Sequence, residues 1–220
     1  MADKIIQNAK AGGFQSGLGR AGLLLLTLAL IALATALGPP ERTLGTNIRI
    51  VYLHGAWVWT GKIAFGLAAL AGLAGLLLRR KRRLAQEASL ALGRTGLLFW
   101  LTNLPLALLV MQVNWGGFFF DEPRWKVSLM FGIVASMMQA ALYLLNSGWV
   151  ACLANLFLGS TLWLLLGEAT TEMHPVSPIF GSDATGIQVF FVALLGLVLL
   201  LCAQAAWWLY ASPSRPLHTH

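Results

Sequence analysis

Charge is scarce in this chain. Asp, Glu, Lys and Arg make up 10% of its 220 residues, where a soluble domain carries about a quarter. Cysteine is nearly absent. Cys152 and Cys202 lie inside apolar runs, far apart and with no C-x-x-C between them, so both read as small core residues rather than a disulfide or a metal pair. Without a C-x-x-C-H there is no attachment site for a c-type haem. The P-loop pattern G-x-x-x-x-G-K-[ST] is missing, so any ATP-driven step requires another chain. No zincin helix motif and no nucleophile paired with a base stands out; an enzyme acting on lipids or thiols is the weakest function class, and the expectation is of a non-enzyme. The alternating segments of a membrane barrel are missing as well, as are internal repeats and low-complexity linkers.

What is abundant is apolar residue, at 58%. It comes in blocks of roughly twenty, enough to cross a ~30 Å hydrocarbon core as helices. Helices satisfy their own backbone polar groups, which lipid cannot do. The sequence therefore predicts an all-α polytopic membrane protein: six transmembrane helices in one bundle, a single domain over 1–220. Spans are expected near 23–37, 51–78, 96–113, 127–145, 149–166 and 187–210. Loops near 38–50, 114–126 and 167–186 fall on one side, and a basic loop near 79–94 on the other. The polar start, "MADKIIQNAKAGGFQSGLGR", is long for the n-region of a signal. "ALATA" at 32–36 has the small residues of a cleavage site, yet the first run reads as a retained span.

The net charge of +7 follows topology rather than nucleic-acid binding. With the N-terminus inside, Lys4, Lys10, Arg20, the "RRKRR" cluster at 79–83, Arg94 and Arg215 face inward, and Arg42, Arg49, Arg124 and Lys126 outward: ten against four. The positive-inside rule then puts both termini in the cytoplasm of a multi-pass plasma (inner) membrane protein. "RRKRR" reads as a topology anchor that contacts anionic membrane lipids.

His218 and His220 lie in the polar tail. The other two histidines, His54 at the start of the second span and His174 in the third outer loop, reach the outer face. Imidazole nitrogens can ligate a metal or haem iron. The plainer alternatives are an interfacial polar residue beside Trp57 and Trp59 for His54, and an ordinary loop histidine for His174. Zinc would draw further ligands from Glu168, Glu172 or Asp183.

The second outer loop, "NWGGFFFDEPRW" at 114–125, is unusual. Trp115 and Trp125 suit a membrane interface. Phe118, Phe119 and Phe120 do not, and they suggest a hairpin or short helix along the interface that covers a flat, greasy ligand or meets lipid. Arg124 suits a pair with Asp121 or a ligand carboxylate. Lys62 lies two turns past His54, about 12 Å deeper at 1.5 Å per residue. It is a functional candidate or a snorkelling lysine. Asn103, Gln112, Gln139 and Asn155 read as bonds between helices.

These residues together resemble the cytochrome c assembly (WWD-domain) family of membrane haem handlers, in its six-span haem-delivery form. "NIRIVYLHGAWVW" looks like the family's R-I-x-Y-x-H segment; "MHP" sits where the family has its second outer histidine; "WGGFFFDEPRW" sits where it carries W-G-x-x-W-x-W-D-x-R. The resemblance covers nearly the whole chain in order. Here the inner tryptophans are replaced by phenylalanines, and Asp121 comes one residue early. Phe keeps the stacking face and loses the indole N–H.

The resemblance implies a haem-binding protein with haem b as a non-covalent, transient cargo. His54 and His174 would be axial ligands. Trp115, Gly116, Phe118, Phe119, Phe120 and Asp121 would form the porphyrin platform, with Arg124 a propionate or partner contact. The implied partners are a membrane-tethered haem chaperone and the ATP-binding-cassette transporter subunits of cytochrome c maturation. The alternative is a permease subunit for another small amphipathic molecule, its path lined by Lys62, Pro105 and the intramembrane amides.

Overall fold

A computed structural model of the protein describes residues 17–168, 179–180 and 184–211. Six helices long and apolar enough to cross a membrane pack into a bundle: α1 Gly17–Leu37, α2 Ile48–Leu77, α3 Arg82–Trp115, α4 Pro123–Leu145, α5 Gly148–Glu168 and α6 Thr185–Ala211. No strand occurs among the described residues. The protein is a multi-pass membrane protein.

α2 is the central helix, packed on α3, α5 and α6, while α1 lies mainly along α6. Small residues allow these approaches, the usual route to close helix packing in lipid. A methyl at Gly72 would meet the Cys152 carbonyl of α5 at 2.7 Å, and one at Gly75 the Cys152 Sγ at 2.7 Å. A methyl at Gly96 of α3 would touch Phe65 at 3.0 Å. Both cysteines are free and buried, as expected of small core residues.

Polar residues add bonds between helices. Gln139 of α4 donates to Asn155 of α5 (2.8 Å), and Asn155 donates to the Ser89 carbonyl (2.9 Å) and hydroxyl of α3. Ser89 donates to the Ala68 carbonyl of α2, so four helices share one buried network. Gln204 of α6 donates to Thr27 of α1 at 2.9 Å. The interhelical role expected of the amides holds for Gln139 and Asn155. Gln112 is exposed instead, and the buried Asn103 Oδ1 accepts no hydrogen bond among the described residues.

The basic segment is the main correction. It was expected as a loop near 79–94, but only a 3-10 turn, Arg79–Lys81, separates α2 from α3. The helix runs on beneath the charges because 82–94 is rich in Arg, Leu, Ala, Gln and Glu, all good helix formers, with an Arg83–Glu87 ion pair one turn apart at 3.0 Å. Arg94 is therefore a half-buried residue of α3 rather than a loop residue. Hydropathy falls where the charges begin; helix geometry does not stop there. The turn at 146–147 between α4 and α5 carries Asn146 at a positive φ of 49°, a conformation asparagine tolerates.

Candidate functional site

The sequence segment around His54 has two structural residues and one candidate ligand. Arg49 Nε donates to the Gly38 carbonyl (2.8 Å) and Tyr52 OH to the Pro39 carbonyl (3.2 Å). Both side chains thus hold the "GPP" end of the 38–47 loop onto the first turns of α2. Glu41 closes that loop on itself: its carboxylate accepts from the amides of Thr43 (2.8 Å) and Leu44 (2.9 Å). Those amides hold the Glu41 carboxyl below its ordinary value, Leu44 contributing most. His54 follows as a half-buried residue whose Nδ1 is buried.

Helical spacing sets the direction of His54. His54, Val58, Gly61 and Phe65 form one stripe at i, i+4, i+7 and i+11. Lower on that stripe a methyl at Gly61 would touch Trp100 of α3 at 3.3 Å, and the Phe65 ring meets Phe131 of α4 edge-on at 5.2 Å. His54 therefore continues upward a face directed at α3 and α4. The contact also fixes a register between the parallel helices α2 and α4. Arg124, seven residues before Phe131, comes level with Val58, seven before Phe65, between His54 and Lys62.

α3 overshoots α4 at this end. Asn47 donates to the Val113 carbonyl (3.4 Å), which ties the starts of α2 and the 38–47 loop to the last turns of α3. α3 ends at Trp115 with Gly116 in the left-handed region (φ 70°) and its amide on the Gln112 carbonyl, a glycine C-cap. The residues 116–122 then return to α4, which opens with Pro123 at its first position. They form neither the hairpin nor the short helix expected from the sequence. They form bends and turns, because Gly116-Gly117 breaks α3 and Pro123 can start a helix but not continue a strand pair.

In that loop Phe118 and Phe120 stack, 6.1 Å apart and 28° from parallel, and Phe120 leans on Trp125 at 6.2 Å. Trp125 is buried as an anchor, whereas Phe118, Phe119 and Phe120 are 54%, 41% and 57% exposed. Trp115 is half-buried at the helix end. Asp121 is fully exposed and pairs with Lys126 at 2.8 Å, not with Arg124, since α4 turns Lys126 toward the loop. Lys126 holds the Asp121 carboxyl below its ordinary value.

Lys62 has an arrangement the sequence did not reveal. Its ammonium lies 4.6 Å from the Trp59 ring and 4.5 Å from the Trp163 ring. The Trp163 indole donates to the Lys62 carbonyl at 3.1 Å. Trp59 was visible as a neighbour at i−3, but Trp163 comes from α5, 101 residues away. Because Trp163 is five residues from the α5 end at Glu168, about 8 Å, Lys62 is shallow relative to α5 even though it is deep along α2.

His174 lies outside the described residues, as do Glu172 and Asp183, and Glu168 is described by its backbone alone. The described part of the third loop returns to the same place. Ile179 is buried, and a methyl at Gly55, next to His54, would meet Phe191 at 3.2 Å and Ile179 Cδ1 at 4.0 Å. Phe180 packs edge-on against Phe191 at 5.7 Å. Among the described residues no three His, Cys, Asp or Glu side chains group as a metal site. One end of the bundle thus gathers His54, the exposed phenylalanines, Arg124, and the chain five residues after His174. Comparison with protein-family models, with curated proteins and with solved structures finds no match.

Proposed function

We propose that this chain is a membrane haem-binding protein that presents haem at the outer face of the plasma (inner) membrane for cytochrome c maturation, with both termini cytoplasmic. The observation that carries the reading is the convergence at the His54 end. His54 points along a stripe toward α3 and α4, the exposed Phe118–Phe120 pair offers flat apolar faces, and Ile179 brings the loop that contains His174 back beside Gly55.

The residues suit the group. A porphyrin needs aromatic surface, one or two imidazoles for its iron, and cations for two propionates. With Nδ1 of His54 buried, Nε2 is the nitrogen to face the iron. His174 would take the opposite side, its five residues of chain from Ile179 reaching up to ~17 Å. Arg124 would receive a propionate or the membrane-tethered haem chaperone. Bound haem would supply a transferable cargo rather than a reaction. A site built from a helix shoulder and loops suits release to the chaperone, with the transporter subunits supplying any ATP-driven step.

The test is the visible absorbance of the purified protein with haem added. A low-spin bis-histidine spectrum that is lost in His54→Ala and in His174→Ala supports the assignment. An unchanged spectrum in both variants removes it.

A further inference from the structure

The end of the bundle opposite His54 carries Arg80, Lys81, Arg82 and Arg83, and one corner of it is buried. Gln86 of α3 is 3% exposed. It is wedged between α2 and α5: a methyl at Gly75 would meet its Cγ at 3.2 Å, and a methyl at Gly148 its Cδ at 2.8 Å and its Oε1 closer still. That Oε1 therefore faces the first residue of α5, and it accepts no hydrogen bond among the described residues. One turn before Gln86 on the same face, Arg82 has a buried Nε that finds no acceptor among them either.

The start of α5 supplies a third set of groups. Amides in the first turn of a helix have no carbonyl of their own helix to bond. The first to reach back is Ala151, on the Ser147 carbonyl at 3.0 Å, which leaves the amides of Gly148, Trp149 and Val150 directed out of the helix end. α3 and α5 run parallel in one register, since Gln86 meets Gly148 and Gly93 meets Asn155 at the same offset. Arg82, four residues before Gln86, thus stands about 6 Å beyond the start of α5, in front of those amides. A helix start is partly positive, so the corner has two sources of positive potential. Among the described residues the one carboxylate at this end, Glu87, pairs with Arg83 at 3.0 Å.

We propose that Arg82, Gln86 and the first turn of α5 form a binding site for a phosphate group. Helix starts and arginine forks both suit its oxygens, and Gln86 bonds to a further oxygen through Nε2 or to a phosphate proton through Oε1. The site is independent of the haem reading, which concerns the other end. Two sources bring a phosphate to this place: the headgroup of an acidic phospholipid, and a soluble phosphate compound. In the first case the exposed Leu84, Leu145 and Trp149 offer the acyl chains an apolar wall.

The full-length protein tests this in two arms. In neutral detergent, binding of inorganic phosphate is titrated against chloride at equal ionic strength. In nanodiscs, retained phosphatidylglycerol is counted against phosphatidylcholine by native mass spectrometry. The wild type is expected to prefer the phosphate anion or the acidic lipid by about tenfold, the scale of one hydrogen bond to a charged group. Arg82→Gln loses that preference, whereas Arg80→Gln, at an exposed position in the same basic turn, keeps it. A preference in nanodiscs identifies the phospholipid, and one confined to detergent identifies a soluble compound. If Arg82→Gln melts early, Gln86→Leu is judged by the same criterion. No preference in the wild type, its retention in Arg82→Gln, or an equal loss in Arg82→Gln and Arg80→Gln overturns the proposal, and the basic turn then acts as diffuse charge only.

Discussion

Lys62 and Trp163 contact each other twice. The Lys62 ammonium sits 4.5 Å from the Trp163 ring, and the Trp163 indole N–H is donated to the Lys62 backbone carbonyl. One tryptophan thus fixes both the backbone and the charge of α2 against α5. Trp163→Leu removes both and is expected to cost about 1–2 kcal/mol. Trp163→Phe keeps the ring face, loses the N–H donor, and costs less. Unfolding in detergent with a graded denaturant measures both.

The Gln139–Asn155–Ser89 network joins α3, α4 and α5. Asn155→Ala strands the Gln139 donor and loses two bonds to Ser89, for a loss of about 1–2 kcal/mol. Thr27→Val, which removes the Gln204 contact and a local bond to the Leu23 carbonyl, costs less. Equal stability of the wild type and Asn155→Ala in the same unfolding assay would show that the network contributes nothing net.

Gly159 of α5 lies against backbone: a methyl there would contact the Phe65 carbonyl and the Ala69 side chain. Gly159→Ala must push α5 away from α2, with an expected loss of about 1–3 kcal/mol. Gly22→Ala, where a methyl meets nothing within 4 Å and alanine is the better helix former, does not lower the melting temperature.

Acid acts first on the loops 38–47 and 116–122. The Asp121 and Glu41 carboxyls are both held below their ordinary values, by Lys126 and by the Leu44 and Thr43 amides. A depressed carboxyl gives its loop order that is fully present above the ordinary carboxylate pKa of about 4. That order is lost as pH falls through the lowered value. Hydrogen exchange at 41–45 and 116–122 should therefore speed up only in that acid window, and Asp121→Asn should abolish the pH dependence of the second segment alone.

The exposed phenylalanines serve the haem reading directly. Phe118→Ala with Phe120→Ala removes the stacked pair and should weaken haem binding about tenfold or more while leaving the melting temperature unchanged, because both rings are exposed. Spectroscopic titration beside a thermal melt separates the two effects.

Much of the architecture was legible because lipid imposes it. Runs of about twenty apolar residues without alternation leave helices as the solution, and all six were placed within a few residues at their apolar ends. The error at 82–94 shows the limit of hydropathy, which measures where a chain is greasy and not where its backbone hydrogen bonds stop. Composition alone marks the phenylalanine loop as unusual, but it does not give its shape, which is bends and turns rather than a hairpin or short helix. Gly116, Gly117 and Pro123 allowed several turns, and the buried Trp125 selected one.

By itself the sequence determined an all-α membrane bundle, the segregation of charge to its two ends, and the gathering of His54, the aromatic loop and the third loop at one of them. These follow from periodicity and from the cost of putting charge in lipid, both local properties of the chain. Only the tertiary structure decided which partners meet: Trp163 on Lys62, Lys126 rather than Arg124 on Asp121, Asn155 between Gln139 and Ser89, and Ile179 beside Gly55. Those pairings depend on helix register, and register is fixed by small-residue contacts such as Gly72 on Cys152, which separate residues by many turns of sequence yet bring them within one atom's width.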